Sequence, residues 1–262
     1  ISTTSEVSGT SGTNQNEFTT GTLSNLLSTP ETLTYTVTPT ILATGCEGED
    51  FTVTVTVNPE PQIDDFTETI CEGDTFASIL PENDTNGVVP SGTIYTWVIA
   101  DESSDLIIGG SASTTASATI PGSELTLVND TTSPQDLIYT VTPNTEEGCE
   151  GEPFTVTITV NPTAQVNQPD NLTLCNGDTA EIDFTTLNQG GDTTYVWQVV
   201  LDESDDIGPI TNQGSDQGNI NLAVENNTFD VLTATIEVIP TYTNNGEQCE
   251  GPSKECTLSG LP

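Results

Sequence analysis

The sequence predicts an all-β chain of tandem immunoglobulin-like β-sandwich domains, the first one truncated, and three observations predict it. A fourteen-residue segment is written twice, as "CEGEDFTVTVTVNP" from Cys46 to Pro59 and "CEGEPFTVTITVNP" from Cys149 to Pro162, and begins a third time as "CEGPSKECTLSGLP" from Cys249 to Pro262. Inside it, Phe51, Val53, Val55 and Val57 alternate with Thr52, Thr54 and Thr56, the two-residue period of a strand with one apolar and one hydroxylated face. No window carries a sustained helical period, and Trp97 and Trp197 recur in matching strand-like runs with a cysteine on either side. That is the pattern of a core tryptophan in a two-sheet sandwich of about 100 residues.

Taken in order, a complete repeat carries four markers. A C-x-G-D turn opens it, "CEGDT" at Cys71 and "CNGDT" at Cys175. A tryptophan strand comes second, "IYTWVI" from Ile94 and "TYVWQV" from Thr194, and we expect Trp97 and Trp197 to plug the core between the sheets. Next comes a strand ending in proline: "TYTVTP" to Pro39, "IYTVTP" to Pro143 and the weaker "IEVIP" to Pro240. The closing segment completes the unit. Its β-branched residues favour extended backbone, and Asn-Pro ends the strand because proline cannot continue a ladder. Boundaries therefore fall after Pro59 and Pro162, giving 1–59, 60–162 and 163–262. Only the last two markers occur in the first unit, whose residue 1 aligns near Asp105, so 1–59 reads as the C-terminal part of a truncated repeat.

Charge narrows the function. The chain has 40 acidic residues against one basic residue, Lys254, and no histidine. Nucleic acid and anionic membrane surfaces are excluded as partners, because both are bound through Lys and Arg. No apolar run approaches the length that crosses a bilayer as a helix, which argues against membrane insertion. Without histidine a Ser-His-Asp or Cys-His constellation cannot form, no D-T-G segment offers an aspartic dyad, and the acids recur with the repeat as solvated surfaces do. The reading is of a protein that is not an enzyme. Calcium is the one cofactor the composition suggests. "DESSD" places Asp101, Glu102 and Asp105 in the loop after the first tryptophan strand, and "DESDD" places Asp202, Glu203, Asp205 and Asp206 after the second. Clustered carboxylates suit an oxygen-seeking cation; the competing reading is a solvated acidic turn. Lys254 aligns with Phe51 and Phe154, inward positions, and is expected to snorkel out from the strand.

Six cysteines without histidine or a C-x-x-C pair fit disulfides in an oxidising compartment better than zinc. Parity within units predicts intradomain bridges Cys71–Cys149 and Cys175–Cys249, with Cys46 bonded to a cysteine upstream of the chain. Cys71 precedes the second strand of its sandwich, so this is not the usual immunoglobulin bridge. Cys256 aligns with Val53 and Val156 and reads as a buried thiol; the other reading is a bridge to another chain or domain.

The C-x-G-D opening, the Y-x-W strand, the Y-T-V-T-P strand and the G-C-E-G closing segment together resemble the PKD-like, immunoglobulin-like repeats of giant cell-surface adhesins of Bacteroidota, including gliding-motility adhesins exported by type IX secretion. The resemblance implies an extracellular, cell-surface structural region acting as a disulfide-stabilised stalk in adhesion or gliding. Its expected partners are neighbouring repeats of the same protein, other filament subunits and surface glycans. It also implies D-(S/T)-small O-glycosylation acceptors, which would be Thr131, Thr179 and Thr193. The rival is a carbohydrate- or calcium-dependent ligand-binding module of a secreted protein, which would need exposed aromatics to stack on sugar. An open first unit raises two further readings: completion by upstream sequence, or by a strand donated from another subunit.

Overall fold

The computed structural model describes residues 2–3, 22–128, 131–200, 214–215 and 220–262, and among these every regular element is a strand. Three apolar cores lie along the chain. Leu33 and Tyr35 centre the first, Trp97, Tyr139 and Ile158 belong to the second, and Trp197, Ile236 and Leu258 to the third.

In the second repeat a five-stranded sheet runs in the order Ser113–Ser117, Ile94–Ile99, Gln135–Asn144, Phe154–Asn161, Phe66–Cys71. Opposite it lies a layer of short pairings, Ile107–Ile108 with Thr126–Leu127 and a bridge between Ile79 and Ile120. The alternation read from the closing segment is what fills the space between. Phe154, Val156, Ile158 and Val160 are each at most 3% exposed, and the intervening threonines face partly to solvent. Trp97 is 5% exposed and its Nε1–H donates to the Ser111 carbonyl at 2.7 Å, so its polar atom is satisfied as well as its ring.

The third repeat rebuilds the same sheet as Leu172–Cys175, Lys254–Leu261, Leu232–Asn244, Asp192–Val200 and Gly214–Ser215. Its second layer pairs Thr179–Ile182 with Ile220–Ala223. Cys256 takes the inward slot that Val156 fills in the second repeat, is 2% exposed, and its thiol pKa is pushed up by that burial. Lys254 is exposed. In the first repeat Glu31–Val37 pairs with Phe51–Val57, and Phe51 is 52% exposed where its counterpart Phe154 is buried.

Strand direction fixes where the opening cysteines stand. The first strand of each complete repeat pairs in parallel with its last strand: Phe66–Cys71 with Phe154–Asn161, and Leu172–Cys175 with Lys254–Leu261. Cys71 thus lies opposite Asn161 and Cys175 opposite Leu261, at the pole where the chain leaves the repeat.

Candidate functional site: the junction between repeats

Two recurring turns hold the cysteines at opposite poles. The C-x-G-D turn is fixed by backbone bonds that match in both repeats. Gly73 N–H donates to Leu125 O at 2.8 Å and Glu72 N–H to Asn161 O at 2.9 Å; Gly177 N–H donates to Val224 O at 2.8 Å and Asn176 N–H to Leu261 O at 3.1 Å. Gly73 and Gly177 sit at φ +87° and +92°, where a side chain is strained, which is why glycine holds the third position of the motif. The closing C-E-G is fixed in all three repeats by its glycine N–H donating to the proline that ended the preceding strand: Gly48 to Pro39 at 2.8 Å, Gly151 to Pro143 at 3.1 Å and Gly251 to Pro240 at 3.0 Å. This hairpin stands at the entry pole.

Cys71 therefore cannot reach Cys149. They flank opposite ends of Phe154–Asn161, whose eight residues span roughly 25 Å, whereas a disulfide needs Cα atoms within about 7 Å. The bridge forms between repeats instead, Cys71 to Cys249, with Cα atoms 5.5 Å apart. This corrects both expected intradomain pairings, and Cys149 and Cys175 carry free thiols together with Cys46.

Around the bridge the two repeats are tied by polar contacts. Asn161 and Asn244 bond reciprocally, Asn244 Nδ2 to Asn161 Oδ1 at 2.9 Å and Asn161 Nδ2 to the Asn244 carbonyl at 3.2 Å. Gln189 N–H donates to the Thr132 carbonyl at 2.8 Å, and Thr163, in the linker, donates to Glu72 Oε2 at 3.0 Å. The C-E-G glycine is pressed against the linker too: a Cβ on Gly251 would stand 1.8 Å from the Ala164 carbonyl oxygen, and one on Gly151 2.1 Å from that of Pro61. Gly251→Ala is accordingly expected to destabilise the third repeat by about 1–3 kcal/mol, the usual cost of overpacking, read from the denaturation midpoint of its strands.

The remaining sequence-predicted positions are dispersed. In "DESSD" the serines fold inward and the acids outward: Ser103 Oγ donates to the Ile138 carbonyl at 2.9 Å and Ser104 Oγ to Gln135 Oε1 at 2.6 Å, leaving Asp101, Glu102 and Asp105 exposed. Among the described residues no three histidine, cysteine or acidic side chains are grouped closely enough to hold a metal ion between them. Asp202, Glu203, Asp205 and Asp206 lie outside the described residues. Of the glycan acceptors, Thr179 is exposed and Thr131 is half-buried with its hydroxyl on the Val128 carbonyl at 2.5 Å. The Thr193 hydroxyl is enclosed. Trp97 and Trp197 are buried, and an open cleft of about 510 Å³ at the junction is lined by Thr67, Thr69, Thr157 and Thr159 with Glu68, Asn245 and Glu247, without an aromatic ring.

Fold and junction together define a tandem array of immunoglobulin-like sandwiches joined end to end. Residues 1–61 and 68–164 match the PKD-like domain family, and the chain belongs to it. No curated protein matches the chain. Among solved structures it is similar to the chicken CNTN1 FN1-FN3 domains, at 11% identity over 88% of this chain and 76% of that one, with TM-score 0.35. It is similar also to fibronectin(III)-like modules of Clostridium thermocellum CbhA, at 13% identity over 75% and 90%, TM-score 0.31. The titin I-band fragment I67-I69 matches at 10% identity over 88% and 74%, TM-score 0.32. These are likenesses of fold alone. Tandem domains of this type are typical of structural or extracellular repeat regions.

Proposed function

We propose that this chain is a non-catalytic structural stretch of a large extracellular surface adhesin or filament, its repeats forming a stalk that holds an adhesive element away from the cell during attachment or gliding. The observation that carries the reading is the disulfide between successive repeats, Cys71 to Cys249, seated in a junction of paired asparagines. A covalent tie across a domain boundary resists bending and pulling, which a spacer under load needs and a lone binding module does not. Sandwiches in series let length grow while each repeat keeps its own small core. A disulfide persists in oxidising surroundings outside the cell, and a net charge of −39 keeps a long, exposed array from associating with itself nonspecifically. Exposed Thr179, within Asp178-Thr179-Ala180, is the best placed of the proposed O-glycan sites.

Immunogold labelling of intact, unpermeabilised cells of the source organism with antibodies to this chain tests the reading. Label at a distance from the envelope, lost after external protease, is the expected outcome. Label seen only after permeabilisation would overturn it.

A further inference from the structure

We propose that Cys175 is the receiving half of a second inter-repeat disulfide, and that its partner is the C-E-G hairpin of another PKD-like repeat, which a second copy of this chain supplies through Cys46. The bridge already formed is the template. Cys175 occupies in the third repeat the place of Cys71 in the second: the same C-x-G-D turn, the same two backbone bonds, and the same parallel register against the last strand. Cys46 occupies the place of Cys249. Each lies two residues before the glycine that bonds the proline carbonyl, and each is registered against the residue two beyond that proline, Ile41 for Cys46 and Tyr242 for Cys249. Cys71 and Cys249 are bonded, while Cys175 and Cys46 are both exposed thiols.

The surface beside Cys175 is apolar where the formed junction is covered. Strand registers place Val231 where the second repeat has Pro134, and Phe229 where it has Thr132. At the formed junction Thr132 accepts a bond from Gln189, and Pro134 lies against Gly190. At the far end of the third repeat Phe229 is 99% and Val231 55% exposed, and the loop that carries them is tied to the Cys175 turn by Asn226 N–H donating to Asn176 Oδ1 at 3.0 Å. Cys175 thus stands beside uncovered apolar side chains, which a docked repeat would bury as the formed junction buries its own.

The chemistry balances with a small-molecule disulfide as oxidant. One thiolate attacks oxidised glutathione and releases one glutathione thiol; the second protein thiolate displaces the other, so that one S–S bond forms between copies and glutathione takes up the two electrons and two protons. Cys175 lies within the stretch closed by Cys71 and Cys249, so successive bridges would overlap along the array.

The test is oxidation of the purified chain in glutathione buffer, followed by unreduced electrophoresis and mass mapping of the linked peptides. The expected result is a reducible ladder in steps of 27.5 kDa with a Cys46–Cys175 peptide. Cys175→Ser and Cys46→Ser should each abolish the ladder while the Cys71–Cys249 peptide persists, which reports that the fold is intact. Phe229→Ser should slow ladder growth about tenfold, as expected for losing part of one buried aromatic. A Cys175 that stays alkylatable after oxidation, or that is found on Cys149 or on the Cys175 of another copy, overturns the proposal. The inference sits within the stalk reading, yet the peptide map tests the bond and the immunogold experiment tests the location, so each can fail separately.

Discussion

Pulled by its two ends, the unreduced protein is expected to release about 600 Å less chain length than the reduced protein. Cys71 and Cys249 are 178 residues apart, and with the bridge closed the force passes from one sulfur to the other without entering the chain between them. At about 3.3–3.6 Å per extended residue that unloaded stretch is worth about 600 Å, most of the second and third repeats. Cys71→Ser should reproduce the reduced trace without reductant. Single-molecule force extension checks this, and equal lengths in the two states would mean that no bridge spans the junction. The sandwiches themselves should survive reduction, because each has its own core on either side of the boundary. What the bridge adds is a mechanical limit on extension at the junction, the property the stalk reading requires.

Trp97→Ala is expected to weaken the second repeat by about 3–5 kcal/mol and to leave the third nearly untouched. The indole is 5% exposed among Tyr95, Tyr139 and the valines of the closing strand, so truncation opens a cavity that neighbouring strands fill only in part. It also removes the donor bonded to the Ser111 carbonyl at 2.7 Å. Trp97→Phe keeps most of the apolar volume and should cost distinctly less. Hydrogen exchange reads the effect repeat by repeat. Amides of Ile94–Ile99 and Gln135–Asn144 should lose about two to three orders of magnitude of protection, while those of Leu232–Asn244 keep theirs. A loss shared equally by both repeats would mean that they unfold as one unit.

Most of the strand content could be read from the chain because it rests on local signals. Phe154, Val156, Ile158 and Val160 announce a buried face by their spacing, and the burial comes from it directly. The repeated C-E-G and C-x-G-D segments mark the unit boundaries and, through their glycines, the turns. The acidic loop was less legible. In "DESSD" Ser103 and Ser104 find backbone and side-chain partners inside the repeat while the three acids face outward, a division that five successive letters do not show. Thr193 likewise matches an acceptor motif in sequence while its position on the strand Asp192–Val200 encloses the hydroxyl.

By itself the sequence determined a tandem all-β array, its repeat length, the tryptophans and the alternating core faces, and the poverty of catalytic groups, since each depends on residue type and short-range order. Only the tertiary structure decided which cysteines meet. That choice turns on whether the first strand of a repeat runs parallel or antiparallel to the last, a long-range pairing that leaves no local periodicity behind. Running parallel, it carries Cys71 to the exit pole beside Asn161, a full strand length from Cys149 and within bonding distance of Cys249 in the next repeat.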